Sequence, residues 1–133
     1  MAKPIPAEFV DLFEKKAFAH LATVMPDGSP QVSPVWVMLE GDCLIVNSAR
    51  GRQKDRNMRR NAKVAMSIQD PDNPYRYVLV RGHVAEVTEE GADTIIDRLA
   101  KKYLGVDKYP YRRPGEVRVT YKIEPEHVTG SGR

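Results

Sequence analysis

The spacing of apolar residues divides the chain into six predicted strands and three predicted helices. Helical spacing is clearest between a predicted N-cap at Thr88 and a stop at Gly105, where the apolar residues are Ala92, Ile95, Ile96, Leu99 and Tyr103. Helices are predicted over residues 6–16, 52–60 and 88–105. Strands are predicted over residues 18–25, 30–40, 43–48, 63–69, 75–87 and 116–124.

Short turns join the first three strands into an antiparallel meander. Residues 26–29 read Pro-Asp-Gly-Ser, which favours a hairpin turn, and Gly41 opens a second turn. Pro34 has no N–H to donate, so we expect its strand to be an edge strand or to bulge there. Gly82 predicts a bulge in the fifth strand. We expect this α-βββ-α-ββ-α-β chain to form one mainly β domain over residues 1–133, with its six strands curled into a small barrel.

The last predicted strand alternates in polarity. The face predicted to be buried carries Val117, Val119, Tyr121 and Ile123, and the face predicted to be exposed carries Arg118, Thr120, Lys122 and Glu124. A barrel of six strands fills its interior with side chains. A large cofactor is therefore expected to bind outside the barrel, between subunits.

Composition argues against several function classes. The apolar fraction of 41% and charged fraction of 29% are those of an ordinary globular protein. No apolar run approaches the ~20 residues that cross a bilayer, so no membrane partner is expected. The net charge of +3 is too weak to indicate a nucleic-acid partner. The single cysteine, Cys43, forms no internal disulfide, which is typical of a cytoplasmic protein.

Side-chain catalysis and metal catalysis have no support in the motifs. The three histidines, His20, His83 and His127, lie in different predicted elements without ligand spacing, so no metal site is expected. No nucleophile–base motif and no glycine-rich nucleotide motif is present. If the protein is an enzyme, its reactive atom belongs to a cofactor, and no catalytic side chain is expected.

Positive charge is concentrated between Arg50 and Arg60. This segment holds six basic residues and one acidic residue, a net +5, whereas the whole chain carries +3. It follows a strand, passes Gly51 and enters a helix, an order that often holds a phosphate on free backbone N–H groups. A solvated basic helix face is the alternative. Aromatic candidates for lining a cofactor, or for core packing, are Trp36, Tyr75, Tyr77, Tyr109 and Tyr111.

Four segments together resemble a known family. They are residues 20–36, residues 52–57, residues 80–84, and the Lys-Lys-Tyr of residues 101–103 with the Tyr/Arg-rich loop that follows. The chain resembles the flavin/deazaflavin oxidoreductase superfamily, the pyridoxamine 5′-phosphate oxidase-like split β-barrels, and most of all the branch that uses coenzyme F420. The resemblance covers nearly the whole chain and implies a six-stranded antiparallel split β-barrel.

The resemblance also implies cofactor-binding positions. The strand from Gln31 to Trp36 runs along the ring of the cofactor, the end of the next strand lies beside the ribityl chain, and the basic segment binds the phosphate. Arg56, Arg59 and Arg60 would meet the acidic lactyl-polyglutamyl tail of F420. The implied cofactor-binding residues are Gln31, Val32, Ser33, Pro34, Val35, Trp36, Asn47, Ser48, Ala49, Arg52, Gln53, Lys54, Arg59 and Arg60.

The implied activity is hydride transfer from reduced F420 to an unsaturated or quinone-like small molecule. The alternatives are an FMN-dependent oxidase or reductase of the same fold and a non-catalytic F420 or flavin carrier. The family implies a homodimer with cofactor sites at the subunit interface. In that arrangement Tyr77 or the loop from Tyr109 to Arg113 would reach the site of the other subunit.

Overall fold

The computed structural model describes residues 2–132 and contains an antiparallel sheet, two α-helices and a short 3₁₀ helix. The strands are β1 (Ala19–Val24), β2 (Pro30–Val35), β3 (Met38–Glu40), β4 (Cys43–Ala49), β5 (Lys63–Asp70), β6 (Asn73–Thr88) and β7 (Arg118–Ser131). The helices are α1 (Gln53–Arg60) and α2 (Ala92–Leu104), and the 3₁₀ helix is Ala7–Phe13. Within residues 2–132, no helix is long and apolar enough to span a membrane.

The seven strands lie in the order β2-β1-β5-β6-β7-β4-β3. The predicted mainly β class, with antiparallel strands and few helices, is confirmed, but the prediction of a six-stranded barrel is wrong. Over the described residues, the edge strands β2 and β3 form no ladder with each other, so the sheet is open. Only Trp36 and Val37 separate these two edges in the chain. The sheet must therefore coil strongly to bring its edges within reach of that link.

The additional strand arises because the predicted strand of residues 30–40 breaks at Trp36 and Val37. The Val37 N–H donates to the Tyr103 hydroxyl at 3.1 Å, and the Val37 carbonyl accepts from Lys102 Nζ at 2.6 Å. Because these side chains of α2 satisfy a buried backbone, the ladder can end here without unpaired polar groups. Pro34 lies on edge strand β2, as expected.

Two apolar clusters hold the fold together. The main cluster combines inward-facing strand residues such as Leu21, Val46 and Ile123 with Phe9 and Leu12 of the 3₁₀ helix. The smaller cluster packs α2 against the β2–β3 link, and its members are Ile96, Leu99, Tyr103, Trp36, Met38, Ile95 and Tyr109. This second cluster fixes the position of the Trp36 indole.

Two predicted helices have different bounds in the structure. The third predicted helix begins at Ala92 instead of Thr88, because Thr88 pairs with Thr120 in the β6–β7 ladder and Gly91, with φ +75°, precedes the helix. The first is a 3₁₀ helix, in which the Phe9 N–H donates to the carbonyl of residue 6 at 2.9 Å.

The prediction that Arg118 and Thr120 are exposed is wrong. Their residues are only 5% and 7% exposed, whereas Val117, predicted to be buried, is 37% exposed. The reason is that α2 and the loop after it cover this end of β7, where the Tyr109 ring lies 5.0 Å from the Arg118 guanidinium carbon. The alternation of polarity in the sequence identified the strand, but it did not show that α2 and the following loop cover its polar face.

The predicted bulge at Gly82 is confirmed. The β6–β7 register shifts between Arg81 and Gly82. A Cβ atom at Gly82 would lie 2.2 Å from the Glu124 carbonyl oxygen, so only glycine permits this close approach of the two strands.

Candidate functional site

A cleft of about 200 Å³ lies where the β2–β3 link, α1, α2 and β7 meet. We call it the Trp36 cleft. It draws its walls from distant parts of the chain, and its lining residues are Phe18, Pro34, Val35, Trp36, Asn47, Arg52, Lys54, Ile96, Tyr109, Tyr111 and Arg118. One wall is aromatic and the other is basic.

The aromatic wall is centred on the Trp36 indole. Trp36 stacks on Tyr103 with ring centroids 5.2 Å apart and an interplanar angle of 6°. Tyr109 meets Trp36 edge-on at 5.9 Å, and Tyr111 meets Tyr109 edge-on at 5.7 Å. Because stacking on Tyr103 restrains the indole, the wall presents a preformed apolar surface suited to a planar ring.

The basic wall combines Arg52 and Lys54, at the start of α1, with Arg118 of β7. Burial, together with the charges of Arg52 and Arg118, lowers the pKa of Lys54 below its ordinary value. The Lys54 ammonium group has no hydrogen bond or ion pair with any residue between 2 and 132. A bound anion would supply the missing counter-charge and relieve the repulsion among the three cations.

Arg118 is held rigidly in this wall. Its Nε donates to Asn47 Oδ1 at 2.9 Å, its Nη1 donates to Glu116 Oε1 at 3.0 Å, and its side chain is only 4% exposed. The Asn47 amide group in turn donates to a carbonyl of α2 and to a hydroxyl of β7. The Asn47 side chain therefore positions Arg118 and joins α2 to the sheet.

The start of α1 is fixed by the buried carboxylate of Asp55. Its Oδ2 accepts from the Gly51 N–H at 2.9 Å, and its Oδ1 accepts from Arg59 Nε at 2.9 Å and from the Tyr121 hydroxyl. Burial opposes ionisation, but these hydrogen bonds outweigh it and hold the pKa of Asp55 below its ordinary value. Gly51, with φ +93°, makes the turn that leads into Arg52 and the first N–H groups of the helix.

The other cations of the basic segment are engaged outside the cleft. Arg50 donates Nε to Glu89 at 2.7 Å, and Arg59 contacts the same carboxylate at 3.4 Å. Arg56 and Arg60 each donate to a backbone carbonyl, at 2.5 and 2.6 Å. The basic segment therefore divides into two groups. Arg52 and Lys54 face the cleft, and Arg50, Arg56, Arg59 and Arg60 form an outer face.

Six of the fourteen predicted site residues line the Trp36 cleft, and these are Pro34, Val35, Trp36, Asn47, Arg52 and Lys54. The other eight are placed elsewhere, and these are Gln31, Val32, Ser33, Ser48, Ala49, Gln53, Arg59 and Arg60. Strand alternation explains part of this division, because successive side chains of a strand point to opposite faces.

The residues outside the cleft have identifiable surroundings. Gln31 accepts a hydrogen bond from the Thr23 hydroxyl at 2.6 Å, and Gln53 donates to Asn57 at 2.8 Å. Val32 lies on the outer face of the sheet and is 64% exposed. The hydroxyls of two serines are buried without a hydrogen-bond partner among the described residues, and these are Ser33 and Ser48. Ala49 is buried.

Three lining residues were missed from the sequence, and these are Phe18, Ile96 and Arg118. Phe18 and Ile96 carry no signal beyond apolar periodicity. Arg118 could have been found only from the strand register, which pairs it with Ala49 at the end of β4. That register brings it beside the basic segment, although 58 or more positions separate it from that segment in sequence.

The tyrosine loop after α2 lies against this chain's own cleft. Tyr109 and Tyr111 line it, whereas Tyr75 and Tyr77 do not. Asp97 of α2 anchors the loop, accepting from the Tyr109 N–H at 2.8 Å and from Arg112 Nη2 at 2.5 Å. The Tyr109 N–H and Arg112 lower the pKa of Asp97, so the anchor stays ionised.

Comparisons with known proteins agree with this architecture. The family model for pyridoxamine 5′-phosphate oxidase matches residues 5–132. A solved structure described as an F420 reductase is 36% identical, with 94% of this chain and 98% of that chain covered and a TM-score of 0.82. HupZ of Group A Streptococcus is 25% identical, with coverage of 95% and 93% and a TM-score of 0.67.

A conserved hypothetical protein from Mycobacterium tuberculosis shares the fold at 22% identity, with coverage of 98% and 86% and a TM-score of 0.74. Comparison with curated proteins gives no match. The family match spans both walls of the Trp36 cleft, and the most similar of these three structures aligns over nearly the whole of both chains. The chain belongs to the pyridoxamine 5′-phosphate oxidase-like superfamily of flavin and deazaflavin oxidoreductases.

Proposed function

We propose that the protein is a reductase that uses coenzyme F420. It transfers a hydride from the reduced deazaflavin to an unsaturated or quinone-like small molecule. The observation that carries the proposal is the Trp36 cleft, in which a flat aromatic wall faces three cations, one of them, Lys54, unpaired among residues 2–132. A planar ring joined to a phosphate matches these two walls.

The residues of the cleft fit the parts of the cofactor by their chemistry. Arg52 and Lys54 would bind the phosphate, together with the free N–H groups at the start of α1. Pro34, Val35 and Trp36 would hold the ring. When bound, reduced F420 supplies the hydride.

The remaining tasks fall to the surrounding side chains. Tyr109 and Tyr111 would cover the ring and exclude water from it. Tyr103 is a poor proton donor, because burial raises its pKa to about 12 and its hydroxyl donates to the Ala17 carbonyl at 2.7 Å. The proton that accompanies the hydride would come from water or from a tyrosine of the loop. No side chain is required as a nucleophile.

The choice of F420 over FMN is supported by the 36% identity to a structure described as an F420 reductase, over 94% of this chain. A phosphate alone would engage Arg52 and Lys54. The outer face of α1 adds exposed cations at Arg56, Arg59 and Arg60, which suit the acidic tail that F420 carries and FMN lacks.

A side-by-side fluorescence titration with F420, FMN and FAD tests the proposal. We expect the tightest binding for F420, followed by oxidation of reduced F420 when enones or quinones are added. Tighter binding of FMN, with a yellow purified protein, would instead assign a flavin enzyme. Tight F420 binding without turnover of any acceptor would assign a carrier.

We also propose that the protein is a homodimer. The outer face of the sheet carries a cavity of about 510 Å³ that includes His20, Val32, Leu79 and His127, and Val32 and Leu79 are 64% and 42% exposed. An uncovered, largely apolar sheet face is suited to a second copy of itself. Sedimentation analysis should give a dimer that Leu79→Glu dissociates. A monomeric wild-type protein would overturn this proposal.

A further inference from the structure

Two of the three cations of the Trp36 cleft share one largely buried carboxylate, that of Glu116. Its Oε1 accepts from Arg118 Nη1 at 3.0 Å, and its Oε2 lies 3.8 Å from Arg52 Nη2. The Glu116 side chain is 10% exposed and does not line the cleft. It therefore contacts two of the three cations of the basic wall without lining the cleft.

This carboxylate sets the charge that a ligand meets. Arg52, Lys54 and Arg118 contribute three positive charges, and Glu116 cancels one of them, which leaves a wall of +2. Because the carboxylate is held close to its partners and away from water, its repulsion of a bound anion is only weakly screened.

The two candidate cofactors differ in the charge of their phosphate. F420 joins its ribityl chain to the tail through a phosphodiester, which carries one negative charge. FMN ends in a phosphate monoester, whose second pKa near 6 gives it almost two negative charges at neutral pH. Each additional negative charge on the phosphate itself increases the repulsion from Glu116, whereas the acidic tail of F420 would lie outside the cleft, along the outer face of α1.

We propose that Glu116 is a specificity-determining residue that favours a phosphodiester over a phosphate monoester in the Trp36 cleft. The inference rests on the proposed function and explains how the same phosphate-binding wall separates F420 from FMN. Glu116 would act through Arg52 and Arg118, which its carboxylate contacts, since it lines no part of the cleft itself.

The test compares the FMN-to-F420 ratio of dissociation constants in the wild-type protein and in Glu116→Gln. Glutamine keeps an oxygen for the Arg118 hydrogen bond but removes the charge. We expect both affinities to rise and that for FMN to rise about tenfold more than that for F420. Ring contacts cancel in this comparison, because each cofactor is measured against both variants.

Two controls separate charge from structure. Glu116→Asp keeps the charge and should keep the wild-type ratio. Asp72→Asn removes an exposed carboxylate that pairs with Lys15 away from the cleft and from the basic segment, and should leave the ratio unchanged. Lowering the pH from about 8 to about 5 protonates the FMN monoester, so the effect of Glu116→Gln should shrink.

The outcomes are distinct from failure of the proposed function. If the wild-type protein binds F420 but Glu116→Gln leaves the FMN-to-F420 ratio unchanged, or changes it as much at low pH as at high pH, the role of Glu116 is overturned while the cofactor assignment stands. If the wild-type protein prefers FMN, the proposed function fails, and a carboxylate that selects against monoesters is excluded with it.

Discussion

Two groups of cations lie within one turn and helix of this protein and have opposite surroundings. Arg52 and Lys54 face the Trp36 cleft beside Arg118, and Lys54 has no counter-ion among the described residues. On the outer face, Arg50 and Arg59 share the carboxylate of Glu89. Cations a few positions apart therefore differ in their partners, because Lys54 lacks a carboxylate on the inner side whereas Arg50 and Arg59 are paired on the outer side.

Asp55 separates the two groups. It is 2% exposed, holds Gly51 and Tyr121 on the inner side, and pairs with Arg59 on the outer side. Local positive charge in a sequence is therefore a poor guide to a binding site. The useful distinction is which cations converge on one cleft and which of those lack an acidic partner, and both depend on tertiary contacts.

The largest expected effect is a loss of stability when the Asp55 carboxylate is removed. Asp55→Ala leaves the Gly51 N–H, the Tyr121 hydroxyl and Arg59 without their shared acceptor. Breaking a buried charged network of this kind costs about 3–5 kcal/mol of unfolding free energy. Urea denaturation followed by circular dichroism measures it. Asp93→Ala, at an exposed carboxylate of α2, is the control and should cost far less. Equal losses in the two variants would contradict a structural role for Asp55.

The second prediction concerns the cations that face the cleft, and tests Lys54 by itself. Lys54→Ala removes a charge-assisted contact worth about 1.5–3 kcal/mol, so the dissociation constant for F420 should rise roughly ten- to a hundredfold. Fluorescence titration measures it.

The matched control for Lys54→Ala is Lys63→Ala, which removes the same side chain from an exposed position on β5. Its F420 affinity should equal that of the wild-type protein. Unchanged binding by Lys54→Ala, or equal weakening in both variants, would remove Lys54 from the phosphate site.

The sequence was sufficient to predict a mainly β fold, but not that the sheet has seven strands and stays open. Turn residues and alternation identified the strands, and Gly82 identified the bulge. The break at Val37 was not visible, because the groups that satisfy its backbone, Lys102 and Tyr103, lie more than sixty positions away. A strand that ends because a distant helix replaces its partner leaves no local signal.

The site was predictable where chemistry and local geometry coincide. Arg52 and Lys54 follow a strand and a glycine turn, and Trp36 follows a proline in an edge strand. Arg118 was not predictable. The alternation of polarity along its strand placed it on the exposed face, and only the β4–β7 register brings it to the cleft. A register is set by packing across the whole sheet and cannot be read from one strand.

The third prediction concerns how F420 binding depends on pH through Lys54. Burial and two neighbouring cations lower the pKa of Lys54 in the free protein, and a bound anion raises it again. F420 binding is therefore strongest below the free-state pKa and weakens as the pH rises through the bound-state pKa. The decline should begin at a lower pH than an ordinary lysine gives. Titrations across the alkaline range measure it, and Lys54→Arg should move the decline upward. An identical profile for both proteins would contradict the assignment.

The smallest expected effect belongs to the outer group. Arg60 is exposed and already donates to the Val24 carbonyl and to Asn57, so its removal should leave binding of the phosphate unchanged. Its expected role is with the acidic tail, where an exposed ion pair is weak, and Arg60→Ala should lower affinity less than about fivefold. The measurement compares F420 carrying a long glutamate tail with a form lacking the tail, at low and at high salt. We expect the loss only with the long tail and only at low salt, because exposed pairs are screened. An equal loss for both forms would move Arg60 into the phosphate site and erase the division between the two groups.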